Sequence, residues 1–137
     1  MALEAVLLVE LEPPVAFTCA DGTGIEKGAI LKIADPNTVS IAGTDNDKVI
    51  GIAAEEKIAS DGRTSIGVYL RGIFKGTAGL AGVVAGDAII IDSSTGDDNE
   101  IVIADDASEN LLGMALETAT DLQTFKFLLQ PIARKIA

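Results

Sequence analysis

Residues 37–55, NTVSIAGTDNDKVIGIAAE, lie without a gap over residues 99–117, NEIVIADDASENLLGMALE. Asn37 falls on Asn99, Ile41 on Ile103, Ala42 on Ala104, Gly51 on Gly113, Ala53 on Ala115 and Glu55 on Glu117. Six identities in 19 positions, with the apolar positions also in step, exceed what shared composition produces and mark an internal duplication. Such a repeat governs the reading of the whole architecture. On its N-terminal side, Gly24–Ile33 (GIEKGAILKI) lies over Gly82–Ile91 (GVVAGDAIII), with both glycines and the final Ile coinciding. On its C-terminal side, residues 65–73 over 124–132 keep only the apolar pattern.

Between these blocks the punctuation is that of a β protein. Fourteen glycines and clusters of Asp, Asn, Gly and Ser separate short β-branched runs, and no long helical period appears. The pattern predicts strands over residues 29–33, 38–42, 49–55, 64–70, 88–91, 100–104, 111–117 and 124–129. Asp35-Pro36-Asn37, residues 44–47, Ser60-Asp61-Gly62 and residues 94–97 are the turns that join them. Half a unit of this kind has too few strands to bury both faces. The expected fold is therefore all-β: a compact pseudo-twofold β-barrel or β-clip (β-tulip-like), built from two halves at about 15–74 and 75–137, as one domain over 15–137. Gly51 and Gly113, inside strands, are expected at a bulge, a tight bend or a close backbone approach.

Residues 1–14 stand apart as an N-terminal arm, an apolar stretch ahead of Pro13-Pro14. The proline pair favours an extended chain without amide donors. Whether the arm is strand or short helix, and whether it lies on a neighbour or closes its own sheet, periodicity over so few residues leaves open. The arm side chains offered for contact are Leu3, Val6, Leu7, Leu8, Val9, Leu11, Pro13 and Pro14. A second contact candidate is the glycine run 76–86, with Gly76, Gly79 and Gly82, read as a surface loop that another chain can approach closely.

Composition excludes several function classes. Ten basic against 21 acidic residues give a net charge of −11, which repels nucleic acid and anionic membranes. No run reaches the roughly 20 apolar residues of a membrane span, and residues 5–11 lack the basic flank of a signal peptide. A cytoplasmic origin, or a particle assembled there, is the expectation. The chain has no His, so the Ser-His and Cys-His nucleophile systems cannot be built. Cys19 is the sole cysteine and reads as a small buried residue. Asp21-Gly22-Thr23-Gly24 is read as a tight turn, since the extra glycine breaks the Asp-Thr-Gly spacing of an aspartic protease. The glycine run lacks the Gly-Lys-Ser/Thr of a phosphate loop. The acidic segments 92–100 and 105–106 are oxygen-rich but lack the order of a calcium loop, and are read as solvated turns. No catalytic residue, metal site or cofactor is therefore expected.

The order of short motifs resembles the capsid cement (head decoration) proteins of tailed bacterial and archaeal viruses. Those motifs are Pro14-Val-Ala-Phe17, Gly24–Ile33, Lys48–Ala54, Ile66–Phe74 and Val84–Ile91, and the likeness covers roughly residues 14–130. It implies a β-rich structural protein on the exterior of the virion, commonly a homotrimer, that binds the major capsid protein and holds neighbouring shell subunits together. It also implies that the arm lies at the contact. The competing reading is a β-clip domain that binds a small ligand such as a sugar, which requires a pocket of convergent polar groups.

Overall fold

The computed structural model describes residues 3–43, 47–91, 99–104 and 110–132. Its described residues form eleven strands and no helix. They are β1 (Val6–Glu10), β2 (Val15–Cys19), β3 (Ile30–Asp35), β4 (Thr38–Ile41), β5 (Val49–Ala53), β6 (Ser65–Tyr69), β7 (Gly72–Ala78), β8 (Ala88–Ile91), β9 (Glu100–Ile103), β10 (Leu111–Ala115) and β11 (Thr124–Ile132). The all-β class expected from the sequence is the observed one. Residues 44–46 of the predicted turn at 44–47, and the predicted turn at 94–97, lie outside the described residues.

The duplication takes a closed form in each half. Strands β2-β4-β3-β5-β6 make one five-stranded barrel, and β7-β11-β10-β8-β9 make a second, closed by pairing of β9 back to β7. The pairings correspond strand for strand. Parallel β2–β4, with Cys19 opposite Val39, answers parallel β7–β9, with Ala78 opposite Ile101. Leu31 lies between Ile41 and Gly51 as Ile89 lies between Ile103 and Gly113. Single bridges repeat as well, Ile25 with Lys57 and Val83 with Ala119. The expectation that one half has too few strands to bury a core is thus corrected: closure into a barrel removes the edges and gives five strands an inside.

Structural causes stand behind the sequence identities. Asn37 and Asn99 both hold a positive φ, 54° and 70°, in the turn between paired strands, a conformation Asn tolerates. Ala53 and Ala115 point into the two barrel interiors, where little space remains. Glu55 accepts the Gly67 N–H at 2.8 Å and Glu117 accepts the Lys126 N–H at 2.9 Å, each carboxylate clamping the last strand of its own barrel. Gly51 and Gly113 are sites of close approach: a Cβ would collide with the carbonyl oxygens of Tyr69 and Leu128 respectively.

Two strands escape the sequence reading. β2 follows Pro13-Pro14 and is largely exposed, so it shows no alternation. β7 holds Gly76-Thr77-Ala78, which the glycine run assigned to a loop. Gly76 is needed inside this strand because a Cβ there would lie 2.8 Å from both Ile101 Cδ1 and Phe127 Cε1.

The first barrel encloses Cys19, Ile25, Ala29, Leu31, Val39, Ala53, Ile66 and Val68. The second encloses larger groups, with Phe127 stacked on Phe74 at 6.0 Å and tilted against Phe125 at 5.7 Å, and its cluster continues outside the barrel onto Ile30, Ala42 and Ile52. Those three residues sit on the outer face of the first barrel yet are almost fully buried. They are buried because β10 and β11 pack on β5 and because the Phe74 ring meets Tyr69 edge-on at 5.8 Å. Asn99 adds a polar tie, accepting the Ile30 N–H at 2.8 Å in a buried position. The core of the second barrel thus extends over the outer face of the first, while the interior of the first barrel is a separate cluster.

Candidate interaction surface

The arm is a strand. β1 pairs antiparallel with the first half of β7, on the side that β9 occupies further along, with a register shift between Leu7 and Val9. Leu7 turns inward and packs on the core, Leu3 is half-buried, and Val6, Leu8, Val9, Leu11, Pro13 and Pro14 are exposed. Two contacts bind the arm to the first barrel. The Ala5 N–H donates to the Gly28 carbonyl at 2.9 Å, and Glu10 lies against Tyr69, whose phenol is pushed up first by burial and then by that carboxylate. Gly76, Gly79 and Gly82 are buried, and Gly76 lies within β7, which corrects the reading of this run as a surface loop. Their neighbours Leu80 and Val84 carry the exposed apolar surface of that segment.

Register assembles a feature that no single segment contains. Ala88, Met114, Leu128, Ile73 and Val9 face each other in one row across β8, β10, β11, β7 and β1. The residues flanking them along β7 and β11, Phe74 and Phe127, point into the barrel, so this row points out. Met114 is 42% exposed and Val9 46%. The neighbouring outward row brings Lys126 opposite Lys75, with Val6 beyond. Like charges directly opposite on paired strands are destabilising. Among the described residues neither lysine is in an ion pair.

The residues weighed for chemistry have structural partners. Asp21 ends in a tight turn that caps the first barrel: Lys57, fully buried, donates from Nζ to the Asp21 carbonyl at 2.7 Å, the Ile58 carbonyl at 3.0 Å and Asp61 Oδ1 at 3.1 Å. Cys19 is buried, and desolvation pushes its thiol up, away from the reactive thiolate. Among the described residues no group of His, Cys, Asp or Glu could hold a metal ion. Residues 92–98 of the acidic segment 92–100, and residues 105–106, lie outside the described residues.

Glu55 also gives the surface a pH dependence. The Gly67 N–H first, and the Arg63 guanidinium at 2.7 Å second, hold its carboxyl below the ordinary 4.5. The unfolded chain then binds the more protons, so stability rises with pH; the contribution is complete above the unfolded pKa and lost as pH falls through the folded one. The urea midpoint is expected to drop as the solution is acidified below 4.5, and Glu55→Gln to flatten part of that drop. An acid profile that the substitution leaves unchanged would mean the clamp carries no stability.

A tandem of fused barrels, with an apolar row and an apolar arm exposed among the described residues, defines an all-β protein. The chain belongs to the phage cement protein family, whose model matches residues 11–129. It is therefore a capsid-associated structural protein of a phage. Among solved structures it is similar to "the crystal structure of head fiber gp8.5 N base in bacteriophage phi29", with a TM-score of 0.57 at 20% identity. That match covers 90% of this chain and 99% of the other, and supports the two-barrel fold. No curated protein matches the chain. A cleft of about 490 Å³ opens beneath the arm, lined by Glu4, Ala5, Val6, Leu7, Lys27 and Tyr69. Neither comparison lends support to a sugar or other small ligand in it.

Proposed function

We propose that this protein binds the outer surface of the major capsid shell as a homotrimer, assembles onto heads in the host cytoplasm, and stabilises the shell without catalysis. The observation that carries this reading is the apolar surface outside a finished core. Val6, Leu8, Val9 and Leu11 are exposed on or just after a strand whose inward residue, Leu7, already completes the packing. An apolar edge strand of this kind is an invitation to pairing unless a partner covers it. Membership of the phage cement protein family supports a capsid protein as that partner.

The mechanism is additive contact. A standard stable interface buries about 1,600 Å² in total, and a trimer engaging several shell subunits gains further from effective concentration. Many modest contacts then resist outward pressure together.

Purified protein mixed with expanded, undecorated capsids is expected to co-sediment, saturating at a fixed ratio to shell subunits. Leu8→Asp, which alters the exposed side of β1 and leaves Leu7 in place, is expected to weaken that binding at least tenfold. No sedimentation at any protein concentration would overturn the reading.

A further inference from the structure

One buried group in the arm has no partner. Oε2 of Glu4, just ahead of β1, is shielded from water and makes no hydrogen bond among the described residues. The backbone around it is held in place. The Ala5 N–H is tied to the Gly28 carbonyl at 2.9 Å, and Gly28, at a φ of 91°, lies so close that a Cβ there would collide with the Ala5 carbonyl oxygen and come to 3.0 Å from Glu4 Cβ. A buried acceptor left without a donor costs stability, and a charged one costs more.

Glu4 lines the cleft of about 490 Å³ beneath the arm, together with apolar Ala5, Val6 and Leu7, the Tyr69 ring and Lys27. Lys27 is exposed and in no ion pair among the described residues, so the cleft's own cation does not answer the carboxylate. A carboxylate, an aromatic ring and an aliphatic wall together match an arginine side chain. Its guanidinium donates to carboxylates and stacks on rings, and its stem lies along apolar surface. An anion would meet Glu4 with repulsion, and an apolar side chain would leave Oε2 without a donor.

We infer that the cleft beneath the arm receives an arginine side chain of the capsid protein, its guanidinium donating to Glu4. This rests on the attachment to the shell in the proposed function and specifies its chemistry. Val6 belongs both to the cleft and to the exposed arm surface of that reading, so one partner surface reaches both. The net charge of −11 favours the approach of a basic surface.

Tyr69 is the sole tyrosine of a chain without tryptophan, so its emission reports on the cleft alone. N-acetyl-arginine amide is expected to change that emission saturably, and the citrulline analogue, similar in shape but uncharged, is expected to leave it unchanged. Glu4→Gln is expected to weaken both the probe and the binding to expanded capsids about tenfold. It is expected to melt no lower than wild type, since the charge it removes is unpaired in the free protein. Lys27→Gln, which takes a like charge from the cleft, is expected to tighten the probe and gives a second reading if Glu4→Gln melts early. An equal response to the two probes, or capsid binding that Glu4→Gln leaves unchanged, overturns the inference while attachment to the shell stands. A wild type that does not sediment with capsids overturns both.

Discussion

Gly113→Ala is expected to lower the free energy of unfolding by about 3 kcal/mol, the upper part of the usual range for overpacking an interior. The new Cβ would meet the Leu128 carbonyl oxygen, and the Gln130 N at 2.9 Å. Both are main-chain atoms of β11, the long strand that pairs with β10 on one side and β7 on the other. A side chain could rotate away; a paired strand can yield only by breaking its ladder. Gly51→Ala is expected to cost as much, since its Cβ would strike the Tyr69 carbonyl and approach Val68 Cγ1 to 2.9 Å. Gly22, where an added methyl would meet nothing within 4 Å, is the control, and Gly22→Ala should change stability by less than about 0.5 kcal/mol. Urea unfolding of the three variants checks this. Equal stabilities would refute close approach as the reason for glycine in these strands.

Lys57→Ala is expected to destabilise by about 3 kcal/mol, the low end for removing one partner of a buried ion pair. Its ammonium gathers the Asp21 and Ile58 carbonyls and the Asp61 carboxylate, and its stem is fully buried. Asp21 and Asp61 keep part of their surface in water, which limits the penalty of leaving them unpaired. Lys57→Met keeps most of the stem and loses only the charge and its donors, so it separates packing from hydrogen bonding and should recover about half of the loss. A Met variant as stable as wild type would show that the ammonium contributes nothing net. The second barrel makes the comparison natural, because Ala119 holds the equivalent place there.

Much of this fold is legible in the residues. The ungapped match of 37–55 to 99–117 finds the duplication because each shared residue answers a geometric demand that both barrels make. The strand predicted over residues 88–91 is β8 as observed, since a run of three isoleucines beside Gly-Asp leaves few alternatives. Strand β7 is hidden because Gly72 and Gly76, required by large neighbours, read locally as loop residues. Closure of each half is hidden for a related reason: β2 and β7 are the strands that complete the two barrels, and without them the remainder looks open. The surface is legible only in part. The arm announces itself by its apolar run, but the Ala88–Val9 row draws one residue from each of five strands, and only register brings them together.

The pairing of β1 with β7 also constrains the order of events during synthesis. Val6–Glu10 is translated about sixty residues before Gly72–Lys75, and domains emerging from the ribosome begin to organise from their N-terminal side. The first barrel, β2 to β6, can close while its partner is still untranslated, yet the strand ahead of it must wait. Until β7 emerges, an unpaired Val-Leu-Leu-Val segment stands open beside a finished barrel, in the company of other nascent chains with the same segment. Slow translation past residue 72 would lengthen that exposure, and aggregation of nascent chains is the hazard this topology carries.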